Sequence, residues 1–293
     1  MNPSVKSELF FTLDPTNPGQ FFACCGLLEL AHRLWPEGVR GAFSDFDRVF
    51  RITVPGRANG NETREYLVKE LASCPLRNIM TPTELRQRKE LAGMKASEIK
   101  AVDREGEKKE LDSSWRESPV VLGSPFNLTI DWHQDDRAGG STFKTWAGQQ
   151  SIIDIAAGMQ ALGAASLGAL ADLANVLNFS STGSERPFNF DSDLGGQGAA
   201  LDVGFSFDPL PGLKVAVRPL LELCAFVGLQ RFRPTRMGRE NRYCYATWND
   251  ELVPSVASVA AAGLLCPMTG QGYEFRLLYR TKYLKSFLSA QPM

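Results

Sequence analysis

The sequence predicts an α+β fold, with mixed or antiparallel sheets packed against helices. Three features support this: short apolar runs alternate at period two, longer ones recur at helical spacing, and the two kinds follow each other in two β-α-β-like passes with antiparallel additions. At 293 residues, 43% hydrophobic and 22% charged, the chain can bury a large core, and the expectation is one large domain over 1–293 interrupted by a mobile charged insertion at 84–117. No 20 to 50 residue repeat is evident.

The elements follow in order. ELFFTL, residues 8 to 13, reads as a strand, and Asp14 to Gly19 supply turn residues that end it. A helix is predicted from Pro18 to Trp35, because Phe21, Cys25, Leu28 and Leu34 recur at helical spacing and Pro36 and Gly38 stop it. AFSDFDRVFRITV alternates as one long strand or a hairpin. From Glu84 to Glu110 basic and acidic residues are nearly balanced and large apolar ones are few, so a solvated helical or mobile segment is expected, ordered by a partner. FNLTIDW returns to strand, and an Ala/Gly-rich helix is predicted from Gln149 to Leu177, with Ala157, Ala161, Ala164 and Ala165 permitting close packing. SSTGSERPFNFDSDLGGQG is longer than an ordinary connector, as functional or mobile loops often are. A strand at ALDVGFSF, a helix from Arg218 to Leu229, and strands at RYCYATW and YEFRLLYR complete the chain.

Composition narrows the function. A formal net charge of -1 argues against a protein that coats nucleic acid indiscriminately. From Lys214 onward, however, eleven basic residues face five acidic ones, so a basic end joins an acidic remainder. The six cysteines have no CxxC spacing and the two histidines lie far apart, which disfavours a structural zinc site. Reduced cysteines in apolar runs and no basic-then-apolar leader point to the cytoplasm. The most hydrophobic stretch, residues 151 to 177, carries Asp154 and Asp172 and reads as a buried helix, so no membrane partner is expected.

Five arginines within twelve residues, Arg231, Arg233, Arg236, Arg239 and Arg242, are interleaved with or followed by Phe232, Tyr243, Tyr245 and Trp248. Guanidinium forks match phosphate oxygens and exposed aromatic faces carry stacked bases, so the segment is a candidate nucleic-acid strip. On a strand, Arg231 and Arg233 would share a face opposite Phe232; the alternative is the wet edge of a sheet. In STFKTWAGQQS, Lys144, Gln149 and Gln150 stand before the long helix, where phosphate and base edges are plausible ligands; the alternative is a capping turn with Trp146 in the core. Arg186, in the long loop, is a candidate to wedge or stabilise an opened duplex. In DWHQDD, strand alternation would put Asp131, His133 and Asp135 on one face, a possible divalent metal site for hydrolysis, although a polar strand end explains the same residues.

DPTNPGQFFACCGLLELAHRLW, GGSTFKTWAGQQSI, ALDVGFSFDP and LLELCAFVGLQRFRP together resemble the CRISPR-associated Csb-three-type, or Cas-eight-like, subunit family of type I-U (I-G) effector complexes, from near Leu9 to the end. ALDVGFS is kept at Ala200 to Ser206, but the loop before it lacks the tryptophan of the family pattern, which leaves that loop's role open. The resemblance implies a subunit of an RNA-guided, Cascade-like surveillance complex with no nuclease chemistry of its own and no cofactor. Its implied partners are guide RNA and target DNA through the complex, sister subunits and a separate helicase-nuclease. Its implied work is reading a protospacer-adjacent motif and holding the displaced strand. A metal-dependent nuclease or processing factor using Asp131, His133 and Asp135, and a scaffold that touches only sister subunits, are the two alternatives.

Overall fold

A computed structural model describes residues 5–293 apart from 45, 47, 136–142, 147, 149, 169–171, 184, 195–214, 239–240, 265–268 and 280–284. The fold is α+β, built around one central helix.

Strand β1 (Lys6–Thr12) turns its alternating Ser7, Leu9 and Phe11 inward. It pairs antiparallel with β3 (Val49–Pro55), which pairs antiparallel with β2 (Arg40–Ser44), giving the order β1-β3-β2. β1 and β2 therefore run the same way on either side of β3, and helix α1 (Pro18–Leu34) makes the crossover between them. AFSDFDRVFRITV is thus a hairpin. Asn17 caps α1 by accepting from the backbone N–H groups of Gly19 and Gln20, and Pro18 occupies the first turn, where a missing N–H costs nothing. Every residue from Pro18 to Ala31 is buried, so α1 is covered on all sides.

Part of that cover is the helix at Pro219–Gly228, and part is a second sheet near the C-terminus. Its strands are β9 (Thr235–Met237), β10 (Arg242–Trp248), β11 (Thr269–Tyr279) and β12 (Lys285–Phe287), in the order β12-β11-β10-β9, with the short β13 (Gln291–Pro292) also on β11. Tyr245 donates its hydroxyl to the Pro15 carbonyl at 2.6 Å, and Trp248 donates its indole N–H to the Gly41 carbonyl at 2.8 Å. Gly41 and Leu252 exchange both backbone hydrogen bonds, tying the first sheet to the segment that follows β10. Phe21 stacks on Tyr245 and on Phe43, so one aromatic cluster fills the space between the sheets.

Helix α2 (Gly60–Ser73) leads to a small sheet of β4 (Leu76–Asn78), β5 (Val120–Leu122) and β6 (Leu128–Ile130). Between β4 and β5 lies the charged insertion, which is helical: α3 (Pro82–Gly93), α4 (Ala96–Ala101) and α5 (Glu105–Glu117). A capping box joins Thr81 and Glu84, and Leu91, Ile99 and Leu111 bury a minimal core. Arg88 pairs with Asp112 at 3.0 Å and lies over the Trp115 ring, while Arg104 pairs with Glu90 and Glu107. These pairs join α3 to α5.

Helix α6 (Ile152–Leu167) is shorter than predicted, with Ser151 as its N-cap, and residues 173–175 form a separate 3₁₀ turn. Strands β7 (Ser181–Gly183) and β8 (Val215–Val217) pair, and α7 (Pro219–Gly228) follows. The predicted strand at ALDVGFSF lies outside the described residues. Helix α8 (Pro254–Ala261) packs on β10 and β2. Among the described residues no helix is long and apolar enough to cross a membrane.

Candidate nucleic-acid interface

The arginine segment is neither one strand nor one cationic face. After α7 the backbone turns, with Phe232 N–H donating to the Gly228 carbonyl at 2.9 Å, and Phe232 stacks parallel to Trp248 in the core. Arg231 reaches the buried carboxylate of Glu29 on α1, which also accepts from Arg33 at 2.9 Å. Burial alone would raise the Glu29 carboxyl; the contacts with Arg231, then Arg33, outweigh it and hold the group below the ordinary glutamate value. Arg233 pairs with Asp135 at 2.8 Å, and Arg242 forms a two-pronged pair with Glu274 on β11. Arg236 is exposed on the edge strand β9, and Arg239 lies outside the described residues. The four aromatics expected to stack bases, Phe232, Tyr243, Tyr245 and Trp248, are all buried. They are core residues, a correction whose reason is the strand itself: the apolar face of β10 meets α1, and on its other face only Arg242 and Cys244 are partly exposed.

A different set of groups meets at the edge of the same sheet. Along β12 the Lys285 N–H donates to the Thr145 carbonyl at 3.1 Å and the Phe287 N–H to the Asn189 carbonyl at 3.2 Å, so two loops close the outer side of this strand. Across the strand pair Lys285 stands opposite Tyr279, and its ammonium lies 5.3 Å from the ring centre. Tyr279 is 44% exposed. Partial burial, then Tyr243, raises its phenol, while the charge of Arg236 acts the other way, which places Arg236 within electrostatic reach. Lys285 is pushed below the ordinary lysine value by burial and then by Lys144, so the two ammonium groups stand near each other. Lys144 in turn lies 3.7 Å from Glu117 and over Trp146, which is buried. The structure thus sets Lys285 over one half-exposed ring, with Arg236 in electrostatic reach of that ring and Lys144 in reach of Lys285.

The other candidates are scattered. Gln150 is half-buried just before the N-cap of α6, and Gln149 lies outside the described residues. Arg186 is exposed, but the loop that carries it is anchored a few residues later. Phe188 and Phe190 are buried, and Glu222 on α7 accepts from the backbone N–H groups of Phe190 and Asp191 at 3.2 and 3.0 Å. Asp191 also accepts from Asn17 at 2.7 Å and pairs with Arg218. Full burial pushes Glu222 up to about 8 against those backbone donors, and the nearby Asp191 adds to the rise.

The expected metal face is absent from its proposed position. β6 ends at Ile130, and Trp132–Gln134 form a 3₁₀ turn, so strand alternation does not extend through Asp131, His133 and Asp135. Asp131 accepts from Gln230 at 2.8 Å, Asp135 is held by Arg233, and His133 is buried among Trp132, Trp146 and Phe226. Burial lowers the His133 imidazole to about 4, overriding its backbone contact to Glu117, and the charge of Lys144 lowers it further. Among the described residues no group of three or more His, Cys, Asp or Glu is arranged to hold a metal ion.

The site defines an α+β protein with a cationic, singly aromatic sheet edge. Comparison with known proteins finds no matching family model, no curated relative and no matching solved structure.

Sequence reasoning passed over Tyr279 and Lys285. Tyr279 shares its β11 face with the inward-facing Tyr273, Phe275 and Leu277. Its exposure follows from lying at the end of the strand, a position that alternation alone does not reveal.

Proposed function

We propose that this chain is a non-catalytic, DNA-contacting subunit of an RNA-guided complex of the Cascade kind, and that it holds a single strand at the Tyr279 edge. The reading of the complex rests on the resemblance to the Csb-three-type family. The reading of the contact rests on one observation: a half-exposed tyrosine lies under the Lys285 ammonium, with Arg236 and Lys144 in electrostatic reach. Unpaired bases stack on exposed rings while cations follow the phosphates, and this combination tolerates any sequence. A displaced target strand needs such a holder, since guide pairing has already supplied sequence recognition. Lys144 keeps its expected role near phosphate, and Gln150, on the same loop, remains the candidate for motif reading. Guide RNA, sister subunits and the helicase-nuclease are the implied partners, and the cytoplasm the implied compartment.

The test is oligonucleotide binding by the full chain, alone and within its complex, across a salt series. Tyr279→Ala should weaken single-strand binding by about 1–3 kcal/mol. Lys285→Ala and Lys144→Ala should each reduce the salt slope by about 0.7. Unchanged affinity and slope in all three variants would sink the proposal.

A further inference from the structure

At the tip of the β2–β3 hairpin Phe46 is 98% exposed and has a backbone φ of 56°. Both features are unfavourable for a bulky aromatic residue: water surrounds the whole ring, and the left-handed region crowds its Cβ. Its sequence neighbours Asp45 and Asp47 are acidic, and with Arg48 next along the tip still carries a net negative charge. A nucleic-acid wedge would have its acidic neighbours facing phosphates, so a protein surface with a cationic rim is the better match.

Such a surface exists elsewhere on the chain. Between α4 and α5 a groove of about 310 Å³ is lined by Ala96, Ile99, Lys108, Lys109 and Arg116, together with Glu105 and Asp112. Ile99 is buried and forms an apolar floor, while the aliphatic stems of the basic residues supply walls. Asp112 is already paired with Arg88, which leaves three cations facing Glu105 alone. A cavity of about 150 Å³ holds benzene, so this groove admits a phenyl ring and part of the backbone that carries it.

We propose that Phe46 is the anchor of a contact in which the hairpin tip of one copy enters the α4–α5 groove of a second copy. The acidic sequence on either side of Phe46 complements the cationic rim of Lys108, Lys109 and Arg116. Knob and groove belong to separate parts of the fold, the first sheet and the helical insertion between β4 and β5. Each copy presents one knob and one groove, so copies join either reciprocally as a closed pair or head-to-tail into a ring or a chain. It requires no nucleic acid, and it stands whether or not the Tyr279 edge binds one.

Sedimentation velocity on the full chain, from low micromolar to submillimolar concentration, tests this. The wild type should form species that grow with concentration and shrink with added salt. Phe46→Ala and the pair Lys108→Glu, Lys109→Glu should each weaken association at least tenfold; all three positions lie at the surface, and circular dichroism checks that the fold is kept. Mixing the two variants is the decisive arm, because one retains the groove and the other the knob, so a dimer that grows no further should appear. A monomeric wild type overturns the proposal, as does a mixture that fails to pair. It is equally overturned if Phe46→Ala leaves sedimentation unchanged and weakens oligonucleotide binding instead, the result expected of a nucleic-acid wedge.

Discussion

Gly26 of α1 and Gly228 of α7 face each other at a backbone-to-backbone helix crossing. A Cβ on Gly26 would lie 1.9 Å from the Cys224 carbonyl oxygen, and one on Gly228 would lie 2.0 Å from that of Phe22. No side chain can yield to relieve these contacts, so either alanine forces the helices apart. Since α1 carries the first sheet and touches the aromatic cluster of the second, the cost spreads through the core. Gly26→Ala or Gly228→Ala should destabilise by about 3 kcal/mol or more, read as a lower urea midpoint. A loss under 1 kcal/mol would mean that the helices part easily there.

Arg231 has the same kind of structural duty. Its guanidinium neutralises Glu29, whose carboxylate is 2% exposed, with Arg33 as the second partner. Removing one member of a buried pair strands the other, which typically costs about 3–5 kcal/mol; here Arg33 remains and Arg231 is one-third exposed, so about 2 kcal/mol is expected for Arg231→Ala. Glu29→Gln should recover part of that loss in the double variant, a coupling that denaturation of the four proteins measures. Oligonucleotide affinity of the folded variant should stay within twofold of wild type.

Glu222 makes stability depend on pH from the alkaline side. Its folded value of about 8 lies above its ordinary 4.5, so between those limits the folded chain holds a proton that the unfolded chain releases. The stabilisation is complete below pH 4.5, declines as pH rises toward 8, and changes no further beyond it. Glu222→Gln keeps a carbonyl acceptor for the Phe190 and Asp191 amides but cannot ionise. The variant should show a flatter urea midpoint between pH 5 and 8; a slope equal to that of wild type would place the titrating group elsewhere.

The sequence made the packing legible where one period dominates. The Pro18 helix, the strand at RYCYATW and the hairpin behind AFSDFDRVFRITV follow from apolar spacing, because each lays its apolar face on the common core. The α6 helix was overextended, since Ala and Gly continue a helical pattern without indicating where packing ends. The candidate site was less legible. Arginine spacing shows that cations are present but not which carboxylates meet them, and Glu29, Asp135 and Glu274 come from distant segments. The aromatics of the same segment point inward for the reason that makes β10 a good strand, whereas Lys285 and Lys144 come near each other through the hydrogen bond between β12 and the loop at Thr145.

His133 sets the acid limit. Its imidazole, enclosed by Trp132, Trp146 and Phe226, is lowered by burial to about 4 from an ordinary 6.5, so the unfolded chain takes up a proton that the folded chain refuses. Stability from this residue is complete above pH 6.5 and is lost as pH falls toward 4, opposite in sign to Glu222. In Glu222→Gln the opposing slope is removed, so the urea midpoint should rise from pH 4 to 6.5 and level off. Resonance titration of the imidazole in the folded wild type should place its midpoint near 4. The buried ring is already neutral near pH 7, so a metal-dependent nuclease built on this residue requires instead that it be accessible, with binding of manganese raising the melting temperature. A His133 midpoint near 6.5, together with such a rise abolished by His133→Ala, would restore the hydrolytic reading of Asp131, His133 and Asp135.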